Sequence, residues 1–294
     1  MNQLCSEQVT GYEIKEAKVP IIITMRPLDS LKPHEEVVPE ELSLLTDSIK
    51  RDKVLRHPIL ADLQTGVVLD GMHRLLALRK IGSRLAPVAL VDYQDDRIGV
   101  ERWYRIFSRS GSDIGLDDLL DRIRRTGLKA EYADASEAEG MLESRQVSGT
   151  IENPSRTVVF HSDHSASDSL ELVRTLSQVE KVLLDSGFSL SYSDTRPGRI
   201  PDQTLVVLGP RLLKQEVVKV ALSGRPLYPP KSTRHLIPSR PLGTRVPVDW
   251  LQLPSVEEGQ SKLMEHLAKM KLTRLEEGST IGSRRYQEEV FLFE

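Results

Sequence analysis

The sequence predicts an α/β protein made of two α/β units. Short runs rich in Ile, Val and Leu alternate along the chain with segments whose apolar residues recur at helical spacing. The run Val67-Val68-Leu69-Asp70-Gly71-Met72-His73-Arg74, continued by Leu75 to Gly82, reads as a strand, an abrupt turn and a helix that stops at a glycine. The chain has 294 residues, enough for two packed cores.

The elements follow in order. Val19 to Met25, rich in isoleucine, is the first expected strand, and Lys32-Pro33-His34-Glu35-Glu36 follows as a loop. A helix is expected from Pro39, because proline suits the first helical position and Glu40 and Glu41 complement the positive end of the helix dipole. Leu42, Leu45 and Ile49 mark its apolar face. Pro58 to Ala61 and Gly66 to Leu69 are two short strands around the polar turn Asp62-Leu63-Gln64-Thr65, and Ala86 to Asp92 is another strand. The second unit starts near Gly115. It holds a helix over Leu116 to Arg125 stopped at Gly127, a strand over Thr157 to Phe160, and a helix over Ser169 to Leu184 with Leu170, Val173, Leu176, Val179 and Leu183 on one stripe. A strand over Thr204 to Leu208 and a helix over Leu212 to Leu222, stopped at Gly224, complete it. Pro226 to Pro241 reads as loop, Glu257 to Leu272 as a helix, and the remainder as a charged tail. The expected domains are 1–113, 114–253 and a C-terminal extension, 254–294, to which no role is given.

Composition narrows the function classes. An apolar content of 39% with 28% charged residues fits a soluble globular chain. The formal net charge is −3 and no long basic run occurs, which argues against nucleic acid as a partner. Cys5 is the single cysteine, so neither an internal disulfide nor a cysteine zinc cluster can form, and a reducing compartment is expected. The apolar stretches are too short to span a bilayer, and the N-terminus lacks a signal-peptide layout. A cytoplasmic location with no membrane partner is the expectation.

Three segments carry candidate chemistry. At the turn after Leu69, a helix N-terminus offers backbone N–H groups to an anion, phosphate above all. Asp70 is placed to cap the helix, Gly71 lets the backbone approach a ligand, and His73 and Arg74 add donors. Asp70 and Arg74 could equally be a plain cap and a solvated charge; a carboxylate beside a phosphate otherwise suggests a magnesium ion. The second segment, Tyr228-Pro229-Pro230-Lys231-Ser232-Thr233-Arg234-His235, gathers two cations, two hydroxyls and an imidazole without any structural periodicity; a basic surface loop is the alternative. In the third, Glu35 and Glu36 either favour the dipole of the following helix or supply a general base. Trp103 and Tyr104 line a pocket or belong to the core.

Taken together, these motifs resemble a known family. Leu69-Asp70-Gly71-Met72-His73-Arg74 before an Ala/Leu helix is similar to the Asp-Gly-His-His-Arg signature of the ParB/sulfiredoxin-like fold. Lys32-Pro33-His34-Glu35, Trp103-Tyr104 and Pro230-Lys231-Ser232-Thr233-Arg234-His235 resemble the free L-serine kinases of archaea. The resemblance spans about Val19 to Leu253. It implies a ParB/sulfiredoxin-like nucleotide-binding catalytic domain and a second, smaller α/β domain that contributes the Lys231–His235 loop to a cleft between them. The implied reaction is phosphoryl transfer from ADP (or ATP) to L-serine, giving O-phospho-L-serine and AMP for cysteine biosynthesis.

The same resemblance implies residue roles. Glu35 is the catalytic base, and Asp70 acts at the phosphates, with magnesium as the implied cofactor. Asp70, Gly71, Met72, His73, Arg74, Lys231 and Ser232 hold the nucleotide phosphates. Glu35, Trp103, Thr233, Arg234 and His235 form the serine site. Met72 stands where the family signature has its first histidine, and Glu36 competes with Glu35 for the role of base. The competing expectations are a ParB-like nucleotide-dependent DNA-binding or regulatory protein, which would need a helix-turn-helix and a basic face, and a sulfiredoxin-type reductase, which would need a cysteine in the phosphate turn.

Overall fold

The computed structural model describes residues 10–109, 115–162, 168–282 and 284–294. Cys5 and the expected domain boundary between residues 113 and 114 lie outside them. The fold is mixed α/β, and the chain divides into two compact units. The first takes in the described residues up to Gly99 together with Val218–Arg225 and His235–Glu294; the second comprises Val100–Val217 and Pro226–Arg234.

The first unit begins with β1 (Tyr12–Ile14), β2 (Ile21–Pro27), α1 (Pro39–Asp52), β3 (Val54–Leu55), β4 (Ile59–Asp62), β5 (Val68–Asp70), α2 (Met72–Lys80) and β6 (Leu85–Val91). Its main sheet has the order β1-β2-β6-β4-β5, with β4 parallel to β6 and the other pairs antiparallel. Every residue of β6 is buried, as suits a central strand covered on both faces. α1 starts at Pro39 as expected and ends where Lys53 turns left-handed at φ +53° and donates its N–H to the Ile49 carbonyl.

After β7 (Gly99–Glu101), at the change of unit, come β8 (Tyr104–Ser108), α3 (Leu116–Arg124), β9 (Lys129–Ala133), α4 (Ala135–Glu143), β10 (Gly149–Glu152), β11 (Thr157–His161), α5 (Ser169–Asp185), β12 (Ser189–Ser193) and β13 (Thr204–Leu208). They form an antiparallel six-stranded sheet of order β12-β8-β13-β10-β11-β9. Strand alternation splits the core in two. Val158, Phe160, Leu205 and Val207 pack with α3 and α5, while Val159, Val206 and Leu208 pack with α4.

The chain then returns to the first unit through α6 (Lys214–Ser223) and β14 (Arg234–Leu236), followed by β15 (Ser239–Leu242), β16 (Val246–Pro247), α7 (Val256–Lys269), β17 (Leu272–Leu275), β18 (Thr280–Ile281), β19 (Arg284–Arg285) and β20 (Glu289–Phe293). One expectation is corrected here. The stretch Pro226 to Pro241 is not all loop, because β15 pairs in parallel with β20 at the edge of a β15-β20-β17 sheet, where Pro241 costs no ladder hydrogen bond. The segment from residue 254 onward, for which the sequence suggested no role, packs on the first sheet through α7. Gly259 of α7 lies so close to Leu85 and Met25 that an added Cβ would meet the Leu85 side chain at 2.8 Å. The Gln260 side chain accepts hydrogen bonds from the Met25 N–H (2.6 Å) and the Thr24 hydroxyl (3.0 Å). Among the described residues, no helix is long and apolar enough to cross a membrane.

Candidate active site

Asp70 closes β5, and the residue at the N-cap of α2 is Gly71, at φ +105°, with no side-chain cap. The expected Asp70 cap is therefore not formed. Glycine is needed at position 71 because an L-side chain rarely adopts that φ, and because a Cβ there would stand 2.9 Å from Arg74 Nε. The first turn of α2 therefore carries no side-chain cap from its N-cap residue, as suits a helix end that is to receive an anion.

The Asp70 carboxylate turns instead to two guanidinium groups. Arg74 Nη2 lies 3.0 Å from Oδ2, and Arg240 of β15 donates from Nη1 to the same oxygen. Arg240 also donates from Nε to Glu288, just ahead of β20. Burial would raise the Asp70 carboxyl, but Arg74, Arg240 and Arg284 outweigh it and hold the group well below the ordinary carboxylate range. Arg74 makes a further bond to the Pro58 carbonyl. Met72, where the signature has a histidine, points into the core, 9% exposed.

These residues do not fit direct ligation of magnesium. A Mg²⁺ ion bound directly would compete for Asp70 Oδ2 with two cations already in place.

The loop carrying Glu35 is pinned at both ends. At one end, Lys32 bridges the start of β5: its N–H donates to the Gly66 carbonyl (2.9 Å) and its carbonyl accepts from the Val68 N–H (3.0 Å). At the other, the Val38 N–H donates to His73 Nε2 at 3.2 Å. His73 thus ties the phosphate turn to the loop, a task in addition to the phosphate contact expected of it. Glu35 is 9% exposed between these anchors, and its Oε1 lies 3.7 Å from His34 Nε2.

His235 backs this loop. Its ring meets the His34 ring edge to face at 5.3 Å between centroids. The hydroxyl of fully buried Tyr93 shares a hydrogen bond with His235 Nε2 at 2.8 Å. Burial, then the neighbouring His34, push the His235 pKa well below the ordinary histidine range, so the ring is neutral. The ring stands against His34 on one side and Tyr93 on the other. His57, which the sequence did not single out, accepts the Gly243 N–H on Nδ1 at 3.0 Å. Its pKa is pushed down to about 4, by burial first and by Arg74 next.

The second unit holds the other expected residues. The Trp103 indole donates to the Thr233 carbonyl at 2.9 Å, and the Lys231 ammonium sits over the Trp103 ring, 5.0 Å from its centroid, and 6.0 Å from that of Tyr192. Arg105, buried against Glu180, donates to the Trp103 and Lys231 carbonyls at 3.2 and 3.0 Å and so fixes the loop to β8. Lys231 has a left-handed φ of +60°, uncommon for a residue with a side chain. The Ser232 hydroxyl is spent on the Pro229 carbonyl (2.6 Å), which leaves it a structural part in the loop. Arg234 Nε is buried with no hydrogen-bond partner among the described residues. Sequence reasoning missed Arg240, Glu288, Tyr93 and His57. Each lies outside any motif and is drawn to the site only by the fold.

A helix N-terminus open to an anion, a carboxylate neutralised by arginines and a glutamate on a pinned loop define a class: an α/β protein equipped to handle phosphate groups. Comparison with known proteins narrows it. No protein-family model matches the chain. The chain is 27% identical over 248 residues to the ADP-dependent L-serine kinase of Thermococcus kodakarensis, covering 80% of this chain and 94% of that protein. It is 26% identical over 249 residues to the ATP-dependent L-serine kinase of Staphylothermus marinus, covering 79% and 91%. A solved free serine kinase in complex with AMP superposes with a TM-score of 0.62 at 25% identity, over 78% of this chain and 93% of that one. The chain is therefore similar to the L-serine kinases through about four fifths of its length.

Proposed function

We propose that the protein is a free L-serine kinase that moves the β-phosphoryl group of ADP to the serine hydroxyl, with O-phospho-L-serine and AMP as products. The observation that carries this reading is the similarity to L-serine kinases through almost the whole length of those proteins. The site chemistry supports it. An alcohol is a poor nucleophile at neutral pH, and Glu35, held on a loop pinned at Lys32 and Val38, is the group to take its proton. The serine oxygen attacks the β-phosphorus, the bond from that phosphorus to the bridging oxygen breaks, and AMP leaves with the electron pair. The first turn of α2 and Arg74 face the charge that remains on the phosphoryl oxygens. Trp103, Thr233 and Arg234 are assigned to serine, and the unpartnered Arg234 Nε supports giving that residue an anionic ligand. Lys231, stacked on Trp103, is assigned to the transferred phosphoryl group. Two relatives differ in donor, one named for ADP and one for ATP, so ADP is proposed on the more similar of the two. The product would feed cysteine biosynthesis, as the resemblance implies.

Phosphorus NMR of the purified protein with ADP, L-serine and magnesium in the buffer tests the reading. Phosphoserine and AMP should accumulate in equal amounts; no phosphoserine with either ADP or ATP refutes it. Glu35→Gln should abolish turnover while nucleotide binding survives. If Glu36→Gln is the inactive variant instead, the base is misassigned.

A further inference from the structure

The phosphate turn poses an electrostatic problem: the Asp70 carboxylate stands beside the helix end that is to receive a polyphosphate, and two anions at that range repel each other. Direct magnesium ligation does not resolve it, as the donor set shows. The structure offers another solution. Arg74 and Arg240 share Oδ2 of Asp70, and Arg240 reaches it from β15, remote in sequence, with its side chain 9% exposed. The second arm of Arg240 is held by Glu288, whose side chain is 18% exposed. Glu288 precedes β20, the strand that pairs with β15 from Ser239↔Glu289 onward, so the same ladder that builds the edge sheet sets Glu288 beside Arg240. Ser239 and Glu289, next to this pair, lock the register through a buried hydroxyl-to-carboxylate bond.

We propose that Arg240 and Glu288 are positioning residues of the nucleotide site: Arg240 neutralises and orients Asp70 at the phosphate turn, and Glu288 orients Arg240. The proposal rests on the kinase reading for the identity of the nucleotide. It makes the C-terminal strand segment, for which the sequence suggested no role, a working part of the site. A guanidinium spans Asp70 and Glu288 with two different nitrogens, and a single ammonium cannot do so.

The test is calorimetric titration of the full chain with ADP, together with separate KM values for nucleotide and serine. Arg240→Lys keeps the charge and loses one arm, so nucleotide affinity should fall about tenfold, nearly as far as in Arg240→Met, given the strength of charge-assisted hydrogen bonds. Glu288→Gln is the discriminating variant. It removes a negative charge, so simple electrostatics predicts tighter ADP binding, whereas lost orientation predicts about three- to fivefold weaker binding with the serine KM unchanged. Wild-type ADP affinity in both Arg240→Lys and Glu288→Gln, tighter binding in Glu288→Gln, or an equal rise in both KM values overturns the proposal. Glu288 is partly exposed, so its isosteric variant keeps the test open even where an Arg240 variant fails to fold. A wild-type chain that binds ADP yet makes no phosphoserine refutes the kinase reading and leaves the positioning role to be judged by the ADP affinities.

Discussion

Replacing Gly71 with alanine tests the phosphate turn most directly. The residue sits at φ +105°, where an L-side chain costs about 1–3 kcal/mol, partly offset by the about 0.4–1 kcal/mol that alanine gains by restricting the unfolded chain. A net loss of about 1–2 kcal/mol lowers Tm by a few degrees for a chain of this size. The second effect is local. The new Cβ would stand 2.9 Å from Arg74 Nε and 3.0 Å from both Cζ and Nη2, so the guanidinium must shift away from a position only 3.0 Å from Asp70. Its loss from the turn is worth about 1.5 kcal/mol or more in nucleotide binding, about tenfold. Gly82, just past the other end of α2, is the matched control: its φ is +76° and an added Cβ meets nothing within 4 Å. Thermal melts and ADP titration of the two variants separate strain from displacement. Gly71→Ala and Gly82→Ala should lose comparable stability, and only Gly71→Ala should lose nucleotide affinity. Equal nucleotide affinity in the two variants would refute the assignment of this turn to phosphate.

Three further outcomes are expected. His57 has a folded pKa near 4 against an ordinary 6.5, so between those values the unfolded chain takes up a proton that the folded chain refuses, and stability falls as pH drops through that window; urea midpoints at pH 7 and pH 4.5 should show wild type losing about 2 kcal/mol more than His57→Gln, after discounting for partial solvent exposure. Tyr93→Phe strips buried His235 Nε2 of its hydrogen-bond partner and should cost about 1–2 kcal/mol in the urea midpoint, whereas an unchanged midpoint would show that this hydrogen bond contributes nothing to stability. Gly259→Val overfills the contact of α7 with Leu85 and Met25 and should cost about 2 kcal/mol in a single cooperative melt, while an unaffected melt would show that this contact contributes nothing to stability.

Much of the molecule was legible in the sequence because the signals were local. The start of α1 at Pro39, the stripe of α5, the central strand β6 and the strand–turn–helix at Asp70 follow from period, proline chemistry and turn residues, which act within a few positions. The resemblance of Lys32-Pro33-His34-Glu35 and Lys231-Ser232-Thr233-Arg234-His235 to the serine kinases was legible for the same reason: each motif is a contiguous segment. The short strands of the C-terminal segment escaped detection because β15 acquires its ladder only from β20, some fifty residues away, and neither has a pattern that marks it alone.

The sequence by itself thus determined the elements that have local signals and the short segments that resemble the kinase motifs. Only the tertiary structure decided what those side chains can do. Asp70 was read as a cap or a metal ligand, and Arg240 made it a neutralised carboxylate. His235 belongs to a contiguous motif in the sequence, and only the fold sets its ring against Tyr93 and His34. The physical reason is the same in each case: the charge, tautomer and orientation of a polar group depend on partners and burial, and these come from residues far along the chain that sequence spacing does not reveal.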